Sequence, residues 1–126
     1  MKTEISNIVN ELKKIKKVVA IILFGSYAKK RATPISDVDI CVVTKEANEK
    51  VKSNIVALGN EKIQIVLWDE LHLPIKFRVL KEGKFLFVRD ESSVSSLKAE
   101  TISRFLDFKP ILDSYYKKVY GWKYEI

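Results

Sequence analysis

Apolar positions recur along this chain with two different periods, and the places where the period changes mark out its elements. Across residues 3–17, Ile5, Ile8, Val9, Leu12 and Ile15 fall three or four apart with Lys and Glu between them, which predicts an amphipathic helix. Val18–Phe24 is then continuously apolar and mostly β-branched, as in a strand covered on both faces. A second strand is expected over 37–44. A helix over 46–58 follows, with Ala47, Val51, Ile55 and Leu58 along one face, and Gly59 and Asn60 are expected to close it in a left-handed conformation. A third strand is predicted over 62–68 and a helix over 75–82, with Pro74 at its first turn and Gly83 ending it. A short strand over 85–89 comes next, and residues 90–93 supply caps for the last helix. From 94 to 120 the apolar residues keep helical spacing, but Pro110 interrupts them and predicts a kink or two successive helices. The pattern is that of an α/β (α+β) chain with a small sheet of about four strands and helices packed on it.

The polar residues between the first two strands carry the chemistry. Residues 25–40 read Gly-Ser-Tyr-Ala-Lys-Lys-Arg-Ala-Thr-Pro-Ile-Ser-Asp-Val-Asp-Ile. In an extended strand, alternation places Asp37 and Asp39 on one face and Val38 and Ile40 on the other. Two adjacent carboxylates repel each other unless a cation lies between them. Mg²⁺ takes hard oxygen ligands and is commonly held by one or two carboxylates plus substrate phosphates. Gly25 and Ser26, where a strand ends, offer backbone N–H groups and a hydroxyl to an anion. Gly25 lets the backbone approach phosphate closely, and Lys29, Lys30 and Arg31 are candidates for charge on it.

Gly25-Ser26, ten intervening residues and Asp37-Val38-Asp39 resemble the signature of the DNA polymerase beta type nucleotidyltransferases, in their minimal nucleotidyltransferase (MNT) branch. Tyr27, Ala28, Ser36 and Ile40 extend the match, whereas Lys29 and Lys30 stand where members often have Arg and Gly. The resemblance implies the polymerase beta-like nucleotidyltransferase fold. It assigns Asp37 and Asp39 to one or two Mg²⁺ ions and Gly25 and Ser26 to the phosphates of a nucleoside triphosphate, expected to be ATP. It implies transfer of AMP to a hydroxyl, and a helical HEPN ribonuclease partner that such antitoxins neutralise by adenylylating a tyrosine. It also implies an acid on the third strand, where this chain has Gln64; Asp69 would substitute only if the strand ended early or its register differed.

Composition narrows the setting. At 126 residues and 47% hydrophobic, the chain is expected to form one domain, residues 1–126, with a core that needs no disulfides. The single cysteine, Cys41, reads as a small buried residue and suits a reducing compartment. With neither a signal-peptide pattern nor an apolar run of membrane-spanning length, a cytoplasmic location is expected and a membrane partner is not. The net charge of +7 is spread over most elements without a recognition motif, so nucleic acid is not expected as the main ligand. His72, the one histidine, reads as a surface or packing residue, and the aromatic, basic tail 115–126 as packing on the domain or serving a partner.

Three functions compete at this level. The first is the adenylyltransferase. The second is a module that neutralises its partner by binding, with Gln64 marking a weakened site. The third is an enzyme modifying a small molecule such as an aminoglycoside, which the shortness of the chain disfavours.

Overall fold

Seven consecutive apolar residues make β1, Val18–Phe24, an interior strand. In the computed structural model, which describes residues 2–25 and 38–121, every other element is arranged around it. β2, Val38–Thr44, pairs with it antiparallel on one side and β4, Lys84–Val88, antiparallel on the other. β3, Ile63–Leu67, lies parallel to β2, so the sheet is mixed, in the order β3-β2-β1-β4. A parallel neighbour needs a crossover. α2, Glu49–Val56, supplies it.

One face of the sheet is covered by α1, Lys2–Lys13, through Ile8, Val9 and Leu12, and by Ile55 of α2. Side chains from Ile21, Ile40, Val42 and Ile65 meet them there. The other face is covered by α3, Leu73–Glu82, and α4, Glu91–Tyr120, through Val79, Val94 and Leu97. Cys41, Val43, Ile22 and Trp68 belong to that layer. Phe77 of α3 stacks on the fully buried Phe105 of α4 at a centroid distance of 4.3 Å, joining the two helices. Arg89 fastens the lower corner: its guanidinium donates to the carbonyls of Val18, Lys13 and Ile15 and lies over the Phe87 ring.

Several boundaries differ from the sequence expectation, each for a local reason. The first helix ends at Lys13, and residues 14–17 form turns that swing the chain into β1. The second starts later than expected because Asn48 caps it, its side chain accepting from the Val51 N–H. Nor is it closed by a left-handed residue: Ala57 at its C-cap is right-handed, and Gly59 has no positive φ. Gly59 instead makes room, since a Cβ there would lie 2.7 Å from the Ile63 carbonyl oxygen, while Asn60 Oδ1 accepts from Lys62 and Ile63 N–H. α4 runs as one helix through Pro110. Lys109 and Asp113 bridge that turn with a 2.8 Å ion pair. Asp90 caps α4 as expected. None of the described helices is long and apolar enough to cross a membrane.

Candidate functional site

The register of the sheet builds the site row by row. Phe24 at the end of β1 stands opposite Asp39 in the antiparallel pairing, and Gln64 stands opposite Asp39 in the parallel one. The row at this end of the sheet is therefore Phe24, Asp39, Gln64. Strand alternation fixes the face: Asp39 has the parity of Cys41 and Val43, Gln64 that of Val66, and Phe24 that of Ile22, all in the layer beneath α3 and α4. Asp39 is half-buried and Gln64 exposed.

Gly25 closes this row from above. Its φ is +80°, a left-handed conformation that strains an L side chain, and a Cβ added there would lie 2.7 Å from Asp39 Oδ2. Both the turn and the carboxylate require a bare backbone. The chain leaving β1 thus passes against the carboxylate, and a ligand held by Asp39 lies within reach of that backbone. A polyanion bridged by a cation suits such a cradle, and Asp39 offers one hard oxygen ligand to it.

Of the other sequence-predicted residues, Ser26, Lys29, Lys30, Arg31 and Asp37 lie outside the described residues. Gln64 stands beside Asp39, as expected of the third-strand position. Asp69 does not: it belongs to a single 3-10 turn, residues Trp68–Glu70, beyond Leu67, the end of β3, which is itself roughly 10 Å from Gln64 at the rise of an extended strand. Its carboxylate lies 3.8 Å from Lys52 Nζ. The described residues hold no group of three or more His, Cys, Asp or Glu suited to a metal. His72 is exposed at the start of α3 and makes no capping hydrogen bond, as the surface reading expected.

Beneath the row, Cys41 is fully buried, and burial pushes its thiol up to about 12, with Lys76 opposing and Asp69 adding to the shift. It is an inert floor. Two recesses, of about 260 and 450 Å³, open at the opposite end of the strands, the first lined by Thr44, Trp68, Asp69, Lys76 and Arg104 and the second by Lys45 and Ser92 among others. Of the candidate residues only Asp69 lines either of them, away from the Asp39 row, and the chemistry of the paired motif outweighs their size. Sequence reading passed over Phe24, the aromatic flank of Asp39. Only the strand register could have found it.

The sheet order, the glycine pressed on a strand carboxylate and the helices on both faces define a nucleotidyltransferase domain. The chain belongs to the family described as Polymerase beta, Nucleotidyltransferase, which it matches over residues 6–92. A protein of Methanocaldococcus jannaschii, provisionally named a protein adenylyltransferase, is 42% identical over 71 residues. That alignment spans 56% of this chain and 57% of the relative, little more than half of its length. Among solved structures, a toxin–antitoxin crystallised with AMP-PNP superposes with a TM-score of 0.73 at 20% identity, over 93% of this chain and 96% of that one. The MNT antitoxin bound to a tri-AMPylated HEPN toxin of Shewanella oneidensis gives 0.71 at 20% identity, over 94% and 98%. At these identities the likeness establishes the fold.

Proposed function

We propose that this chain is a Mg²⁺-dependent adenylyltransferase that moves AMP from ATP onto a hydroxyl, and that it acts as an antitoxin on a tyrosine of a HEPN-type partner in the cytoplasm. The approach of Gly25 to the Asp39 carboxylate carries the reading, because it makes one small volume accessible both to a cation ligand and to backbone donors. Membership of the nucleotidyltransferase family and the antitoxin folds of the structural neighbours support it. Asp37 and Asp39 would hold the metal, which when bound would neutralise triphosphate charge. Gly25 and Ser26 would hold the phosphates, with Lys29 and Lys30 balancing the leaving pyrophosphate. The acceptor oxygen attacks the α-phosphorus as its hydroxyl proton passes to solvent, a new P–O bond forms, the bond to the bridging oxygen breaks, and pyrophosphate leaves with the electron pair.

The partner reading draws on α4. Beyond Phe105, Leu106, Ile111, Tyr115 and Val119 are 52–66% exposed on a helix of 30 residues, more apolar surface than a solvated helix end requires. Gln64 favours a second reading, in which the chain neutralises its partner by binding alone. One experiment separates the two. Calorimetric titration of ATP with and without Mg²⁺, beside an Asp37→Asn, Asp39→Asn double variant, is joined to intact mass measurement of the co-expressed partner. Mg²⁺-dependent binding lost in the variant, with AMP on the partner, is the expected result. An unmodified partner that the double variant still neutralises would establish the binding module instead.

A further inference from the structure

We infer that the smaller of the two recesses, between α3 and α4, is a binding site for a small organic monocarboxylate, separate from the Asp39 row. Both lie on the same face of the sheet, but Val43, in the floor of the recess, follows Asp39 by four residues on β2, roughly 13 Å at the rise of an extended strand. Cys41 stands between them in the buried layer. The cavity measures about 260 Å³. At about 30 Å³ for each water displaced, an acid of a few carbons fits it. The inference does not depend on the adenylyltransferase reading.

Two groups in the lining call for a ligand. Thr101, in the α4 wall, is only 6% exposed, yet its hydroxyl makes no hydrogen bond with the described residues. It does not fold back on a carbonyl of its own helix, as helical threonines commonly do. A buried hydroxyl left unpaired is costly. Lys76, in the α3 wall, is half-buried, with its Nζ 5.5 Å from the centre of the Trp68 ring, and it forms no ion pair with the described residues. The remaining charges of the lining are engaged. Arg104 donates to Glu100 at 2.8 Å, and Asp69 lies 3.8 Å from Lys52.

One unengaged ammonium and one unpaired hydroxyl in the same cavity define a monoanion. A carboxylate satisfies both, accepting a charge-assisted bond from Lys76 and a second bond from Thr101. A phosphate group carries close to two negative charges at pH 7 and would meet Asp69 and Glu100 with a single free cation to oppose them. Val43, Leu73 and Leu97 line the rest and suit a short hydrocarbon tail. Trp68 is 4% exposed with Lys76 over its ring, so it serves as a wall and not as a stacking platform. A bound carboxylate bridges α3 to α4 and stabilises the fold by mass action.

The test titrates the isotope-labelled full chain with sodium butyrate, sodium acetate and sodium phosphate at constant ionic strength and reads backbone amide shifts by NMR. Butyrate should give saturable shifts centred on Thr44, Lys76 and Thr101 and leave Gly25 and Asp39 in place. Acetate, shorter by two methylenes, should bind about tenfold more weakly, and phosphate more weakly than butyrate. Lys76→Met should weaken butyrate at least tenfold by removing the charged donor. Thr101→Val keeps the side-chain shape and should weaken butyrate about fivefold without lowering stability in urea, because the hydroxyl it removes has no partner to lose. No saturable shift with butyrate, shifts centred on Gly25 and Asp39, unchanged binding in both variants, or phosphate binding as tightly as butyrate would each overturn the inference. A loss of urea stability in Thr101→Val would show the hydroxyl to be paired and would overturn it too.

Discussion

Replacing Gly25 by alanine separates two effects that coincide at that position. The first is backbone strain. A non-glycine residue with φ near +80° costs about 1–2 kcal/mol, reduced by about 0.4–1 kcal/mol because alanine also restricts the unfolded chain. Gly121, at the C-cap of α4, isolates this effect: its φ is +77°, and a Cβ there would meet nothing within 4 Å. Gly121→Ala should cost about 1 kcal/mol and leave nucleotide binding untouched. The second effect is contact. At Gly25 the new Cβ lies 2.7 Å from Asp39 Oδ2, whereas ordinary contact begins at 3.4 Å, so the carboxylate must retreat by about 0.7 Å. A displacement approaching 1 Å in a positioned catalytic group is worth about 10²-fold in rate. Gly25→Ala should therefore cost about 2–3 kcal/mol in urea unfolding and weaken calorimetric ATP binding in Mg²⁺ at least tenfold. Asp39→Ala removes the obstructing oxygen, and in that background the cost of Gly25→Ala should fall to that of Gly121→Ala. Equal costs for the two glycines in the wild-type background, or no coupling to Asp39, would refute the contact argument.

Phe105, fully buried and stacked on Phe77, ties α4 to α3, and Phe105→Ala should lower urea stability by about 3–5 kcal/mol. The Cys41 thiol, raised by burial to about 12, should resist a thiol-reactive probe at pH 8 in the native state and react once urea unfolds the chain. Fast native labelling would contradict its place in the core. The Asp90 carboxyl is held below its ordinary value of 3.8, first by the Ser93 hydroxyl and then by backbone N–H groups at the start of α4. A depressed carboxylate stabilises the fold above its unfolded pKa and loses that contribution as pH falls through the folded value. Helical ellipticity should accordingly decline below pH 4, and Asp90→Asn should flatten that decline.

β1 was legible to the residue because seven apolar, mostly β-branched residues in succession are too few for a buried helix and suit a strand covered on both faces. Helix limits were less so, because apolar spacing continues past the point where hydrogen bonding stops. Ile15 and Leu58 pack on the core from outside their helices, which end at Lys13 and Val56. At Pro110 the second of the two expected outcomes, successive helices, is excluded: one lost backbone bond does not end a helix anchored by Phe105 and braced by the Lys109–Asp113 pair. At the site, the motif told which residues matter but not their arrangement. Alternation could place Asp39 on a face; only the strand register puts Phe24 and Gln64 on either side of it. The glycine was expected to admit phosphate. Its tightest neighbour proves to be the carboxylate itself.

The strand order also has a meaning in time. During synthesis β1 emerges early and gains β2 within about twenty residues, but its other neighbour, β4, is translated some sixty residues later. Until Val88 has left the ribosome, one edge of the most apolar strand in the chain is bare, the kind of edge that pairs with foreign strands. Nascent chains stalled before Lys84 are thus the aggregation-prone species of this protein, and the Arg89 latch, arriving one residue after β4 ends, fastens the sheet as soon as it is complete.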